Sequence, residues 1–153
     1  MVKKYVGIDP SVRLNGFAVC IIDDYKLYFG RYKKLADWAK DALTWAMDIV
    51  VVVEDSSLQN ITFRKYVDGR SRTKISRNVG MNQGASRFTI DWLELYGHTV
   101  KGISPQEKGK KWTLDFAMSV IKGMKLEVSG NKKLSQDEID AFQLALIAKS
   151  YYK

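Results

Sequence analysis

Between Ile49 and Val53 the chain reads IVVVV, five β-branched residues in a row, and then turns at once to Glu54 and Asp55. A strand with one wet face alternates apolar and polar residues, so an unbroken run of this kind requires cover on both faces. Such cover comes from helices packed above and below a sheet that is at least partly parallel. The segment therefore predicts a layered α/β protein whose strand 4 ends on carboxylates.

The flanking sequence fits that frame. Residues 3–9, 16–22 and 25–31 read as three short strands, with Asn15-Gly16 and Asp23-Asp24 as hairpin punctuation between them, which makes an antiparallel meander. In residues 35–47 the apolar positions Leu35, Trp38, Ala42, Trp45 and Ala46 move to helical spacing. A crossover helix thus separates the meander from IVVVV, and a right-handed crossover returns strand 4 parallel to a meander strand. If that strand is the first, Asp9 and Glu54 become neighbours.

Beyond Glu54, residues 56–77 are polar and basic without apolar periodicity and predict a long loop. A helix is predicted from about Asn78 to Tyr96, closed by Gly97. HTVKGISP reads as a strand, Pro105 opens a segment running to about Lys122, and GMKLEVSGNKK reads as a connection. The last helix begins near Ser135, which with Glu138 forms a capping box. The 153 residues predict one domain, 1–153, able to bury a core without staples.

Charge narrows the function. With 25 Lys and Arg against 17 Asp and Glu the net charge is +8, which draws polyanions through counterion release. The single cysteine, Cys20, lies in an apolar strand and suits packing rather than thiol chemistry. MVKKY leads straight into a strand with no signal-peptide layout, and no apolar segment reaches membrane-spanning length. The expectation is a cytoplasmic protein with no membrane partner.

Four acids then stand out. Asp9 ends the first strand before Pro10, where Asp-Pro also serves as plain turn chemistry. Glu54 ends strand 4. Asp137 and Asp140, three apart, share a face of the last helix near its N-terminus, where the helix dipole alone tolerates them. Ile139, Phe142 and Leu146 on the same helix must dock on the sheet, and docking brings the carboxylates to its edge. Four converging carboxylates require neutralisation, and ligation by oxygen alone selects Mg²⁺ or Mn²⁺. Two such ions, about 4 Å apart, suit in-line displacement at a phosphodiester.

GIDPS with the meander after it, VVVVED, and DEIDA near the C-terminus together resemble the RuvC family of Holliday junction resolvases, in order and spacing over nearly the whole chain. The resemblance implies an RNase H-like α/β fold, with a five-stranded mixed sheet of a three-strand antiparallel meander plus two parallel strands and helices on both faces. It also implies a homodimer that nicks four-way DNA junctions symmetrically with two Mg²⁺ ions, for which Mn²⁺ substitutes, leaving 5′-phosphate ends and using no small-molecule substrate. Asp9, Glu54, Asp137 and Asp140 are then the catalytic metal ligands. Lys108 in SPQEKGKKW matches the family's basic residue after strand 5, which implies a catalytic and DNA-contacting role, with Lys110 and Lys111 as further DNA contacts.

The family's aromatic shortly after the strand 4 glutamate is replaced here by Ser57 and Leu58, and the nearest aromatics are Phe63 and Tyr66. Arg64, Lys65, Arg70, Arg72, Lys74 and Arg77 face only Asp68 in the same stretch and form the strongest basic patch, predicted to contact DNA. The same fold and acids serve an RNase H-like nuclease acting on RNA–DNA hybrids or other branched DNA. A non-catalytic junction-binding protein would use the same basic surface. His98, the only histidine, reads as a surface or capping residue, and Trp112 has no role from spacing alone. Gly80 and Gly84 suit close backbone approach, either to the chain's own sheet or to a second copy.

Overall fold

The computed structural model describes residues 3–11, 16–58, 69–130 and 133–151, with 69–79 described by backbone alone. The meander forms as predicted: β1 (Lys4–Asp9), β2 (Phe17–Asp23) and β3 (Lys26–Tyr32) pair antiparallel in sequence order. Helix α1 (Leu35–Ala42) crosses to β4 (Ile49–Glu54), which pairs parallel to β1 with Ile8 opposite Val53. Helix α2 (Gly69–Leu95) leads to β5 (Thr99–Ile103), parallel to β4. Then follow α3 (Pro105–Lys108), α4 (Leu114–Gly123), β6 (Glu127–Val128) and α5 (Gln136–Tyr151).

The sheet has six strands in the order β5-β4-β1-β2-β3-β6, one more than the five expected. The extra strand, β6, lies inside the stretch read as a connection and pairs parallel to β3 over two residues. Glu127 N–H donates to Tyr25 O at 2.8 Å and Ser129 N–H to Leu27 O at 2.8 Å. Two residues are too few for an alternating pattern to register in sequence.

Both faces of β4 are covered, as its composition required. Val51 and Val53 join Val6, Ile8 and Val19 under Trp38 of α1 and Ile90 and Leu93 of α2. Val52 points the other way, into a cluster with Ile103, Leu144 and Ala148, while Cys20 and Ile22 meet Ile139 and Phe142 of α5. Helix α5 lies against β1 so closely that a Cβ on Gly7 would collide with the backbone of Ala141 and Ala145. Gly7 is therefore required by contact between two backbones.

Three boundaries differ from expectation. Helix α1 stops at Ala42 rather than residue 47: Thr44 turns its hydroxyl onto Asp41 O at 2.7 Å, and Trp45 N–H bonds to Ala42 O in a tighter turn. Trp45 still packs on Trp38, with centroids 6.1 Å apart, which preserves the apolar spacing without the helix. Helix α2 is already formed at Gly69, inside the predicted loop, because Arg and Lys are good helix formers and a helix anchored by its later turns needs no apolar stripe in its earlier ones. The segment after Pro105 divides at Gly109, whose φ of 91° only glycine adopts readily, and Thr113 caps the second piece by accepting from Phe116 N–H at 3.2 Å. Among the described residues no helix is long and apolar enough to cross a membrane.

Candidate metal centre

Three chain segments meet at the C-terminal ends of β1 and β4. Parallel pairing in register sets Asp9 beside Glu54, one residue past the Ile8–Val53 pair. The α5 helix, started by the predicted capping box, adds its first turn: Glu138 N–H donates to Ser135 Oγ at 3.3 Å and Ser135 N–H to Glu138 Oε1 at 3.1 Å. Asp137 and Asp140 follow on the face turned to β1. Carboxylate oxygens of Asp9, Asp137 and Asp140 lie within 4.8 Å of one another.

Glu54 stands just outside this trio and is tied to it by Lys108. The lysine, almost wholly buried, sets Nζ 3.3 Å from Glu54 Oε2 and 3.8 Å from Asp140 Oδ1. Its position follows from α3: Ser104 accepts from Glu107 N–H at 3.2 Å and starts one short turn that carries the side chain back toward β4. Lys111, exposed, reaches Asp140 Oδ2 at 4.0 Å. Lys110 lies elsewhere, in the wall of a separate cavity that Lys108 and Lys111 also line.

The acids border a cavity of about 450 Å³ that also takes in Ser11, Ser56, Asn82 and Ser86. Burial, and then the neighbouring Glu54, push the Asp9 carboxyl up to about 8; Lys108 opposes this, and Asp140 and Asp137 add to it. Four carboxylates thus crowd around one buried ammonium, Lys108, with the more exposed Lys111 and Arg31 at the edge. The donors are carboxylate oxygens alone, and a trio this close is able to hold a hard divalent cation.

Several residues that line the cavity or hold its acids were not singled out from sequence. Arg31 of β3 sits opposite Ala18, which itself lies opposite Asp9, and this row across three strands brings its guanidinium 3.7 Å from Asp137 Oδ2. Only the register reveals it. Ser86 donates to Glu54 O at 3.0 Å and pins the end of β4, while Gln136 donates to Asp140 Oδ1 at 3.0 Å. Asn82 and Ser86, four apart on α2, had helical spacing as their one available signal.

Of the two acids that end β4, only Glu54 faces the cavity. Asp55 is 1% exposed and points away, accepting from Ser57 N–H at 3.0 Å and from Arg87 at 3.2 Å. His98 is buried rather than on the surface, and its N–H to Leu93 O bond of 3.0 Å closes α2; burial lowers its pKa. Of the predicted basic patch, Arg64 and Lys65, with Phe63 and Tyr66, lie outside the described residues. Arg70, Arg72, Lys74 and Arg77 fall on the first turns of α2, known here by backbone only. Around Gly80 and Gly84 there is open space, so neither serves packing on the chain's own sheet.

No protein-family model matches the sequence, and no curated protein matches it. Among solved structures, T. thermophilus RuvC in complex with a Holliday junction substrate matches with a TM-score of 0.58 at 15% identity, over 98% of this chain and 94% of that one. The two share the RNase H-like α/β fold.

Proposed function

We propose that this protein is a metal-dependent endonuclease that resolves four-way DNA junctions. The observation that carries the reading is the meeting of Asp9, Asp137 and Asp140 within 4.8 Å, with Glu54 joined to them through Lys108. The RuvC-like fold adds to it, since the solved relative was captured on a Holliday junction. Asp9, Glu54, Asp137 and Asp140 would hold two Mg²⁺ ions, with Mn²⁺ as a substitute. Bound there, divalent cations supply an activated water and a Lewis acid for the phosphodiester.

The protein's own groups do the rest. Asp9, whose carboxyl is held up first by burial and then by Glu54, would serve as a ligand in its ionised form, the form that a bound cation favours. Lys108 keeps a cation against Glu54 and Asp140 at the place where a phosphate must enter. Lys111 stands at the mouth. Ser86 holds the end of β4 so that Glu54 keeps its position. The basic segment 64–77 and Lys110 would hold further phosphates, and the +8 net charge steers DNA to the site.

A junction needs two cuts, so the working form is a homodimer. The exposed side of α2 and its end offer the surface: Phe88 stacks on Trp92 at 5.5 Å and Tyr96 lies tilted against Trp92 at 5.2 Å, with Gly80 and Gly84 leaving room for another backbone.

The test is nicking of a synthetic four-way junction in Mg²⁺ or Mn²⁺, in competition with a flap, a linear duplex and an RNA–DNA hybrid. The junction is cut preferentially. Glu54→Gln and Asp140→Asn bind it as wild type does and lose cutting by about a hundred- to a thousandfold. Preference for the hybrid, or binding by wild type with no nick in either metal, would defeat the reading.

A further inference from the structure

We propose that the cavity walled by Trp112 and Phe116, next to the carboxylates, receives an unpaired nucleobase of the DNA strand being cut. This assignment rests on the carboxylate cavity being the place of cutting. The pocket is about 580 Å³, within the range of about 300–1,000 Å³ that small-molecule-sized ligands occupy. Its walls come from α4, α5 and the turn that joins α3 to α4.

Two aromatic rings form a corner. Trp112 and Phe116 have centroids 4.9 Å apart and planes at 78°, so a flat ring stacked on one presents its edge to the other, a favoured aromatic geometry. Trp112 is backed by the buried Phe142 at 6.1 Å, and Phe116 is set on the first turn of α4 by the Thr113 cap. The corner is therefore preformed. Phe116 is nonetheless 50% exposed, an uncovered aromatic face beside a cluster of lysines.

The cations identify the occupant. Lys108 and Lys111 line this pocket and the carboxylate cavity alike, and Lys110 lines this pocket only. One ligand that spans both must put an anion on the shared lysines and an apolar planar group on the rings. A nucleotide within a strand has that composition, with its phosphate among the lysines and its base on the aromatic corner. Gln143 adds a polar point: its Nε2 donates to Lys108 O at 3.3 Å and Lys110 O at 3.1 Å, which fixes the amide. Its Oε1 is left buried with no hydrogen-bond partner among the described residues.

Binding, read without cutting, tests the assignment. Fluorescence anisotropy with Ca²⁺ in place of Mg²⁺ follows a labelled four-way junction, intact or with one abasic nucleotide moved stepwise past the crossover. At one position the abasic junction binds wild type about tenfold more weakly, the scale of one base–aromatic stack. Phe116→Ala loses the same factor on the intact junction and nothing more on the abasic one. In wild type, 2-aminopurine at that position changes its emission on binding, a readout that needs no variant to fold.

Equal abasic penalties in both proteins, unchanged binding by Phe116→Ala, or silent 2-aminopurine at every position would each overturn the pocket. So would a variant that alters only the mass of the free protein, which would give the groove to a second copy. A protein that shows the expected binding yet nicks nothing sinks the nuclease reading alone; one that nicks junctions with Phe116 irrelevant sinks the pocket alone.

Discussion

Helices α5 and α2 cover opposite faces of one sheet and dock on it in different ways. Along α5 every residue from Glu138 to Ala145 is buried, and at Gly7 the helix backbone rests on the strand itself. Helix α2 keeps Ala85, Thr89, Ile90 and Leu93 inside and turns Phe88 and Leu95 outward, with Tyr96 exposed just past its end. It reaches the site through polar contacts, Ser86 on the Glu54 carbonyl and Arg87 on Asp55. Acids whose spacing decides whether a cation binds ride on the helix with no freedom. Helix α2 supports the site through polar side chains and leaves Phe88 and Leu95 exposed.

If that contrast holds, the largest effect comes at the α5 seam. Gly7→Ala forces the two backbones apart and costs more than about 3 kcal/mol, read as a drop in urea midpoint or as failure to fold. Wild-type stability in that variant would break the comparison. Asp9 comes next, a matter of pH in the metal-free protein. Its folded pKa of about 8 lies above the ordinary 3.8, so below about pH 4 both states are protonated and nothing is lost. As pH rises toward 8 the unfolded chain ionises first, and stability falls until the folded carboxyl ionises too. Melting in EDTA shows this decline, and Asp9→Asn flattens it while Glu54, Asp137, Asp140 and Lys108 remain; a slope equal to wild type refutes it.

On the α2 side effects shrink. Arg87→Ala leaves Asp55 without its guanidinium, but Arg87 is half exposed and water partly replaces it, so the cost is about 1 kcal/mol by chemical denaturation. Gly84→Ala is the smallest and of opposite sign. With open space around it, the change adds about 0.8 kcal/mol through helix propensity. A loss instead, growing with protein concentration, would mark a second backbone against α2.

The difference between the helices also explains what the sequence disclosed. Strand signals were strong where burial is one- or two-sided and regular, in β1 to β4, and the four acids could be placed because each sits at a chemical discontinuity in such a pattern. Lys108 was legible only through the resemblance, since a lysine after Pro105 is ordinarily solvated. The first turns of α2 were read as loop because basic residues carry no periodicity, although they favour helix. β6 was missed because two residues hold no pattern. Arg31 and Gln143 are visible only once strands and helices are in register, because neither residue differs locally from an ordinary surface or core position.

The missing side chain at Gly7 has a consequence for how this molecule can change over time. Peptide groups, which every substitution leaves intact, set the gauge between β1 and α5, so the span from Asp9 to Asp137 and Asp140 does not depend on which apolar residues fill the interior. Mutational drift can turn over nearly all of the interior while one tiny residue keeps the carboxylates in calibration.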